Sequence, residues 1–239
     1  MIVHGGQATY GQKIGVLLLD SRIPRIPGDI GHAGTFDFPV LFKVVSGASI
    51  AKVIGDTDPA LLEPFIEAAR DLQRRGCRAI TTSCGFLAIF QKELAAALEV
   101  PVFTSSLLQV NFIRTMIAPD KKIGIIAAEK NSITPQHLEG AGIRGEEVKI
   151  VGLDGCACFT AMRSEDPSYD TEVLKKDLVD AALRLTAEGD IGAIVVECTN
   201  LSPFSYAVQE ATGLPVFDIV TLINYMHQSV AQRPYPDRC

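Results

Sequence analysis

The chain repeats itself at a fixed offset, and that repeat limits what it can fold into. Arg78–Cys84 (RAITTSC) and Gly192–Cys198 (GAIVVEC) are short apolar runs ending on a cysteine, at an offset of 114 positions. The same offset carries VPVF at 100–103 onto LPVF at 214–217, and KIGV at 13–16 resembles KIGI at 122–125. Self-similarity of this kind reports a duplicated structural unit. Each unit sets one thiol at a strand-to-helix turn, the place where open α/β sheets bind ligands.

Strand and helix patterns alternate along the whole chain. Ile14–Leu19, Phe42–Val45, Ala79–Ser83 and Val102–Thr104 read as strands, and Asp58–Arg75, Gly85–Leu98 and Leu107–Ile117 as helices. The second half repeats the order, with strands at Ile123–Ala127, Val148–Leu153, Ala193–Val196 and Val216–Asp218. Its helices fall at Pro135–Gly140, Thr171–Glu188, Pro203–Thr212 and Thr221–Val230. Such alternation implies parallel sheets covered by helices on both faces. The expected fold is therefore α/β, with two pseudo-symmetric lobes at 1–118 and 119–239 and an active-site cleft between them. The C-terminal helix is free to pack back on the first lobe. One segment breaks the rhythm: Ser21–Val40 carries prolines and glycines without periodicity, and long irregular connections of this kind are commonly lids or specificity loops.

Composition narrows the function. A net charge of −6 without a basic stripe argues against a nucleic-acid partner. The first residues lack a basic, then apolar, leader pattern, and the longest apolar runs fall far short of the roughly 20 residues of a membrane span. The expectation is a cytoplasmic protein with no membrane partner, in which homo-oligomerisation stays open. In that compartment the six cysteines are expected to be catalytic or buried rather than paired. Cys156 and Cys158 have no second Cys/His pair at zinc spacing, so no metal is expected. No phosphate-binding glycine loop is present either. Cys77 reads as packing and Cys239 as an exposed terminal thiol. His4, His137 and His227 have no metal-like spacing.

A cysteine just before a helix meets free backbone N–H groups and the positive end of the helix dipole, which favour a thiolate and can hold a carboxylate. Two such thiols facing one small carboxylic acid could take a proton from one face and return one to the other. Thr82, Ser83, Thr199 and Asn200 flank the cysteines and can donate to a carboxylate or cap the following helices. Glu197 stands beside Cys198, where its charge would oppose thiolate formation unless strand alternation turns it away. Arg22, Arg25 and His32 lie in the long loop as candidate carboxylate clamps. Asp218 reads as a helix cap or an amine ligand.

These motifs, Ser83-Cys84-Gly85-Phe86 and Glu197-Cys198-Thr199-Asn200, resemble the aspartate/glutamate racemase superfamily, which includes hydantoin racemases, maleate isomerases and arylmalonate decarboxylases. The resemblance covers most of the chain. It implies Cys84 and Cys198 as the paired acid and base of a cofactor-independent racemase or epimerase, an isomerase acting on an amino-acid or hydantoin-like substrate. It further implies that Asp20 and Ser21 support the thiol and substrate, as an Asp-Ser pair does in glutamate racemases. Gly85 and Phe86 depart from the Asn-Thr usual in amino-acid racemases, which points to a different carboxylic acid. A maleate-type cis–trans isomerase and a ligand-binding or redox-sensing protein are the alternative readings.

Overall fold

The computed structural model describes residues 2, 5–54, 57–144, 148–164 and 166–234, so the readings made for His4 and Cys239 lie outside the described residues. The strands are β1 Ile14–Leu19, β2 Val40–Val45, β3 Ala79–Thr82, β4 Val102–Phe103, β5 Lys122–Ala127, β6 Val148–Gly152, β7 Ile191–Val196 and β8 Val216–Phe217. They form two four-stranded sheets in the orders β2-β1-β3-β4 and β6-β5-β7-β8, and every neighbouring pair is parallel. The two halves thus share one topology, and the α/β fold expected from the alternation is present.

The helices are α1 Ile50–Val53, α2 Leu62–Arg74, α3 Gln91–Ala97, α4 Val110–Arg114, α5 Pro135–Gly140, α6 Ala157–Met162, α7 Thr171–Thr186, α8 Ser205–Thr212 and α9 Ile219–Val230. Four helices expected to run unbroken instead open as 3-10 turns, at Pro59–Leu61, Gly85–Phe90, Ser106–Gln109 and Thr199–Phe204, before α2, α3, α4 and α8. In the last of these Pro203 sits inside the turn and offers no N–H to an α-helical ladder. The short helices α1 and α6 fall in stretches without a readable periodicity.

The repeated Lys-Ile-Gly has a packing cause. A Cβ on Gly15 of β1 would lie 2.9 Å from Leu72 Cδ1 of α2, and one on Gly124 of β5 would lie 2.5 Å from Leu185 Cδ2 of α7. Each glycine lets the main helix of its half press a leucine onto the first strand of that half. Leu72 and Leu185 are both fully buried; truncating either to alanine should cost about 2–5 kcal/mol.

The boundary near 118 divides the chain in sequence but not in packing. Leu107, Val110 and Ile113, from the Ser106–Arg114 segment, pack with Ile123, Ile125, Ala193 and Val195 of the second sheet. Reciprocally, Ile219, Leu222 and Ile223 of α9 pack with Ile14, Val16, Ala79 and Phe103 of the first. Each half therefore lends its last helix to the other half's sheet.

The 21–40 segment is docked. Asp29, only 2% exposed, accepts bonds from Arg25 Nη1 (2.9 Å), the Gly31 N–H (2.7 Å) and Asn200 Nδ2 (2.7 Å). Gly28 has a φ of +95°, and a Cβ there would meet Pro203 Cα at 2.9 Å. Ile30 is fully buried in the cluster that joins the first sheet to α9. The connection thus spans from the first strand to the turn that follows Cys198. Among the described residues no helix is long and apolar enough to cross a membrane.

Candidate active site

β3 ends at Thr82 and β7 at Val196, and one residue past each end the chain turns so that Cys84 and Cys198 become the N-caps of 3-10 helices. Both thiols line one cavity between the lobes, of about 30 Å³, with room for about two water molecules. Ser21, Ser83, Gly85, Phe86, Thr199 and Asn200 share its wall. The other two residues expected to bind substrate are elsewhere. Thr82 turns its hydroxyl to the carbonyls of Thr104 (2.6 Å) and Cys84 (3.0 Å) and serves the turn. Asp20 accepts the Gly47 N–H at 3.1 Å and borders a second, outer cleft of about 250 Å³. Ser21, Ile23, Ile50 and Arg163 belong to both spaces and form the partition between them.

The walls are cross-braced. The Thr199 hydroxyl donates to the Ser83 carbonyl at 2.7 Å, and the Ser83 hydroxyl accepts the Leu19 N–H at 3.0 Å. Ser106 donates to the Val196 carbonyl at 2.8 Å. The Asn200 amide, held by Asp29, turns its oxygen towards Cys198, with Sγ at 3.9 Å. Phe86 meets the buried His137 edge-on, with centroids 5.3 Å apart.

Electrostatics depart from the expectation of helix-stabilised thiolates. The Phe86 N–H does favour the Cys84 thiolate and the Asn200 N–H that of Cys198. Burial outweighs them: it is the main cause that pushes the Cys84 thiol up to about 12, with the Glu197 carboxyl second. The same two causes hold Cys198 well above the ordinary thiol range. Both thiols are therefore protonated at neutral pH.

Glu197 is the residue the sequence left undecided. It is 1% exposed, lines the cavity, and receives one bond, from the Ala128 N–H at 3.2 Å. No cation pairs with it among the described residues, and burial raises its carboxyl from the usual range to about 7. The departure at Gly85 has its cause here, because a Cβ on Gly85 would lie 2.2 Å from Glu197 Oε1. Glu197 and Gly85 are thus one feature, in which the missing side chain makes room for a carboxyl beside two thiols.

Phe159 on α6 and Arg163 just after it also line the cavity and had no signal in the repeat. Arg25 lines it while committed to Asp29. Among the described residues no group of three or more potential metal ligands is gathered. Cys156 caps α6, and the Cys158 thiol donates to the Asp170 carbonyl at 3.3 Å.

This topology is that of a two-lobed α/β class whose solved members include racemases. Allantoin racemase from Klebsiella pneumoniae superposes with a TM-score of 0.62 at 15% identity, covering 91% of this chain and 87% of that one. An aspartate racemase homologue from Pyrococcus horikoshii OT3 gives 0.56 at 13% identity, over 92% and 100%. The racemase-superfamily resemblance thus holds at the level of the fold. No family model matches the sequence. A dimethylsulfoniopropionate lyase from Durusdinium sp. clade D is 34% identical over 230 residues, 93% of this chain and 76% of the relative. The chain belongs to the dimethylsulfoniopropionate lyase family.

That membership corrects the racemase or epimerase reading, and with it the isomerase class and the amino-acid or hydantoin-like substrate. The chain belongs to an enzyme family, but one of lyases. Paired thiols are compatible with either chemistry, because inversion needs a donor and an acceptor on opposite faces whereas elimination needs one base and a leaving group.

Proposed function

We propose that this enzyme cleaves dimethylsulfoniopropionate by elimination across its two-carbon chain. A base removes a proton from the carbon next to the carboxylate, and that electron pair forms the new double bond. The bond from the neighbouring carbon to sulfur breaks, dimethyl sulfide leaves with its electrons, and acrylate remains. One proton is released per turnover.

The observation that carries this reading is Glu197, a buried carboxyl without a counter-ion among the described residues, in the wall that holds both thiols. A sulfonium cation entering the cavity supplies the missing positive charge. It also lowers the thiol pKa values, since a nearby opposite charge favours the ionised form. The kinship with a dimethylsulfoniopropionate lyase over 93% of the chain supports the same substrate class. For the base we favour Cys84: burial and Glu197 raise both thiols, and of the lesser charges Arg25 favours the Cys84 thiolate whereas Cys84 and Asp29 oppose that of Cys198. Cys198 then serves as a neutral wall on the other side of the substrate.

The test is release of dimethyl sulfide by gas chromatography with acrylate formation by NMR. Cys84→Ser should lower kcat about 100- to 10,000-fold, the usual contribution of a general base. Cys198→Ser should stay within about tenfold, the loss of one modest contact. No dimethyl sulfide from the purified wild type would refute the substrate. Equal losses in both variants would refute the single-base assignment.

A further inference from the structure

Among the described residues five buried side-chain polar atoms have no hydrogen-bond partner, and two of them, Ser21 Oγ and Arg163 Nε, belong to residues lining the cavity. Ser21 follows β1 in the first half and Arg163 follows α6 in the second, so the partition to the outer cleft draws one donor from each half of the chain. Arg163 is held from two sides. Its Nη2 pairs with Glu129 Oε1 at 2.5 Å, and Glu129 is itself fixed by the Ser132 hydroxyl at 2.8 Å. The guanidinium lies over the Phe159 ring, 4.9 Å from its centroid. Its orientation is thus set by protein contacts while Nε–H is left over. A buried donor without an acceptor is uncommon in folded proteins and calls for an explanation.

We propose that Arg163 Nε and Ser21 Oγ are the donors that bind the substrate's carboxylate across the partition between cavity and cleft. An ionised carboxylate is an acceptor only, and its two oxygens can take one bond from each of these donors. The carboxylate then lies at the partition, and the remainder of the molecule reaches inward towards Glu197 and the thiols. The cavity acquires a polarity, with donors for an anion at its outer boundary and an uncompensated carboxyl within. A zwitterion with a carboxylate at one end and a cation at the other fits in one direction only. Arg163 is therefore a specificity-determining residue. The identity of the molecule bearing the carboxylate rests on the elimination reading; the carboxylate site itself does not.

The experiment has two arms. In the kinetic arm, Arg163→Met and Ser21→Ala are assayed for dimethyl sulfide release. Each should raise KM about ten- to a hundredfold, the share of one charge-assisted hydrogen bond, with kcat within about threefold. Ser21 Oγ has no other partner, so Ser21→Ala should keep the wild-type Tm and stands as the decisive variant if Arg163→Met is unstable. In the binding arm, propionate is titrated against wild type and both variants by calorimetry. Saturable binding lost in the variants supports the site. Unchanged KM in Ser21→Ala and Arg163→Met overturns it, as does propionate binding that is absent from the wild type or equal in all three. If the wild type releases no dimethyl sulfide, the elimination reading fails, and propionate alone decides the carboxylate site.

Discussion

Glu197 is the residue whose position costs the fold most visibly. Its carboxyl ionises near 7 in the folded chain, against 4.5 in the ordinary case. An acid whose folded pKa is raised ionises first in the unfolded state. The penalty is absent below about pH 4.5, grows through the interval, and is complete above about 7. Converted at 1.36 kcal/mol per unit, it amounts to about 3 kcal/mol as an upper bound. Glu197→Gln keeps the shape and removes the charge, so its stability relative to wild type should rise by up to that amount between pH 4.5 and pH 8. Urea denaturation at the two pH values checks this; an equal effect at both would mean that the carboxyl is not the strained group. A folded protein that retains such a residue beside its cavity carries a cost that binding a cation would relieve.

At the scale of elements, the 21–40 segment is held to the second half chiefly through Asp29, which joins Arg25 to Asn200. Asp29→Ala leaves Arg25 without its carboxylate and frees the Asn200 amide beside Cys198. Breaking a buried pair of this kind typically costs about 3–5 kcal/mol. The expected outcome is faster tryptic cleavage at Arg22 and Arg25, followed by mass spectrometry, together with a lower Tm. Unchanged cleavage would show that Ile30 and the Gly28–Pro203 contact hold the segment unaided. The sequence marked this connection as irregular and placed Arg25 in it. It could not show the docking, because Asp29 and Asn200 are 171 positions apart and only the fold brings them together. Glu197 was obscured for a related reason. It follows the last residue of β7, where strand alternation no longer sets the side chain's direction, and its room comes from Gly85 in the other half. Arg163 follows a six-residue helix, too short to show a period.

For the whole molecule, the repeat made the topology legible. Lys-Ile-Gly marked the first strand of each half, and the two cysteines marked the turns that meet at the cavity. What the repeat could not disclose is the exchange of α4 and α9, because a helix pattern does not say which sheet it covers. The exchange predicts that the protein unfolds as one unit. Calorimetry should give a single transition with calorimetric and van't Hoff enthalpies in agreement. Two resolved transitions would mean that the lobes are thermodynamically separate despite their shared helices.

The exchange also restricts how a ligand can get in. Two lobes joined by one linker can swing apart about a hinge, but here each carries a piece of the other's core, and gaping would strip α4 and α9 from their sheets. A chamber with room for about two waters must nevertheless admit a larger molecule. The movement then falls to the apolar side chains of the partition, Ile23 and Ile50, beside the Arg163 that Glu129 and Phe159 hold in place. Entry then depends on side-chain rotation at a partition whose fixed member is the arginine that we assign to the carboxylate.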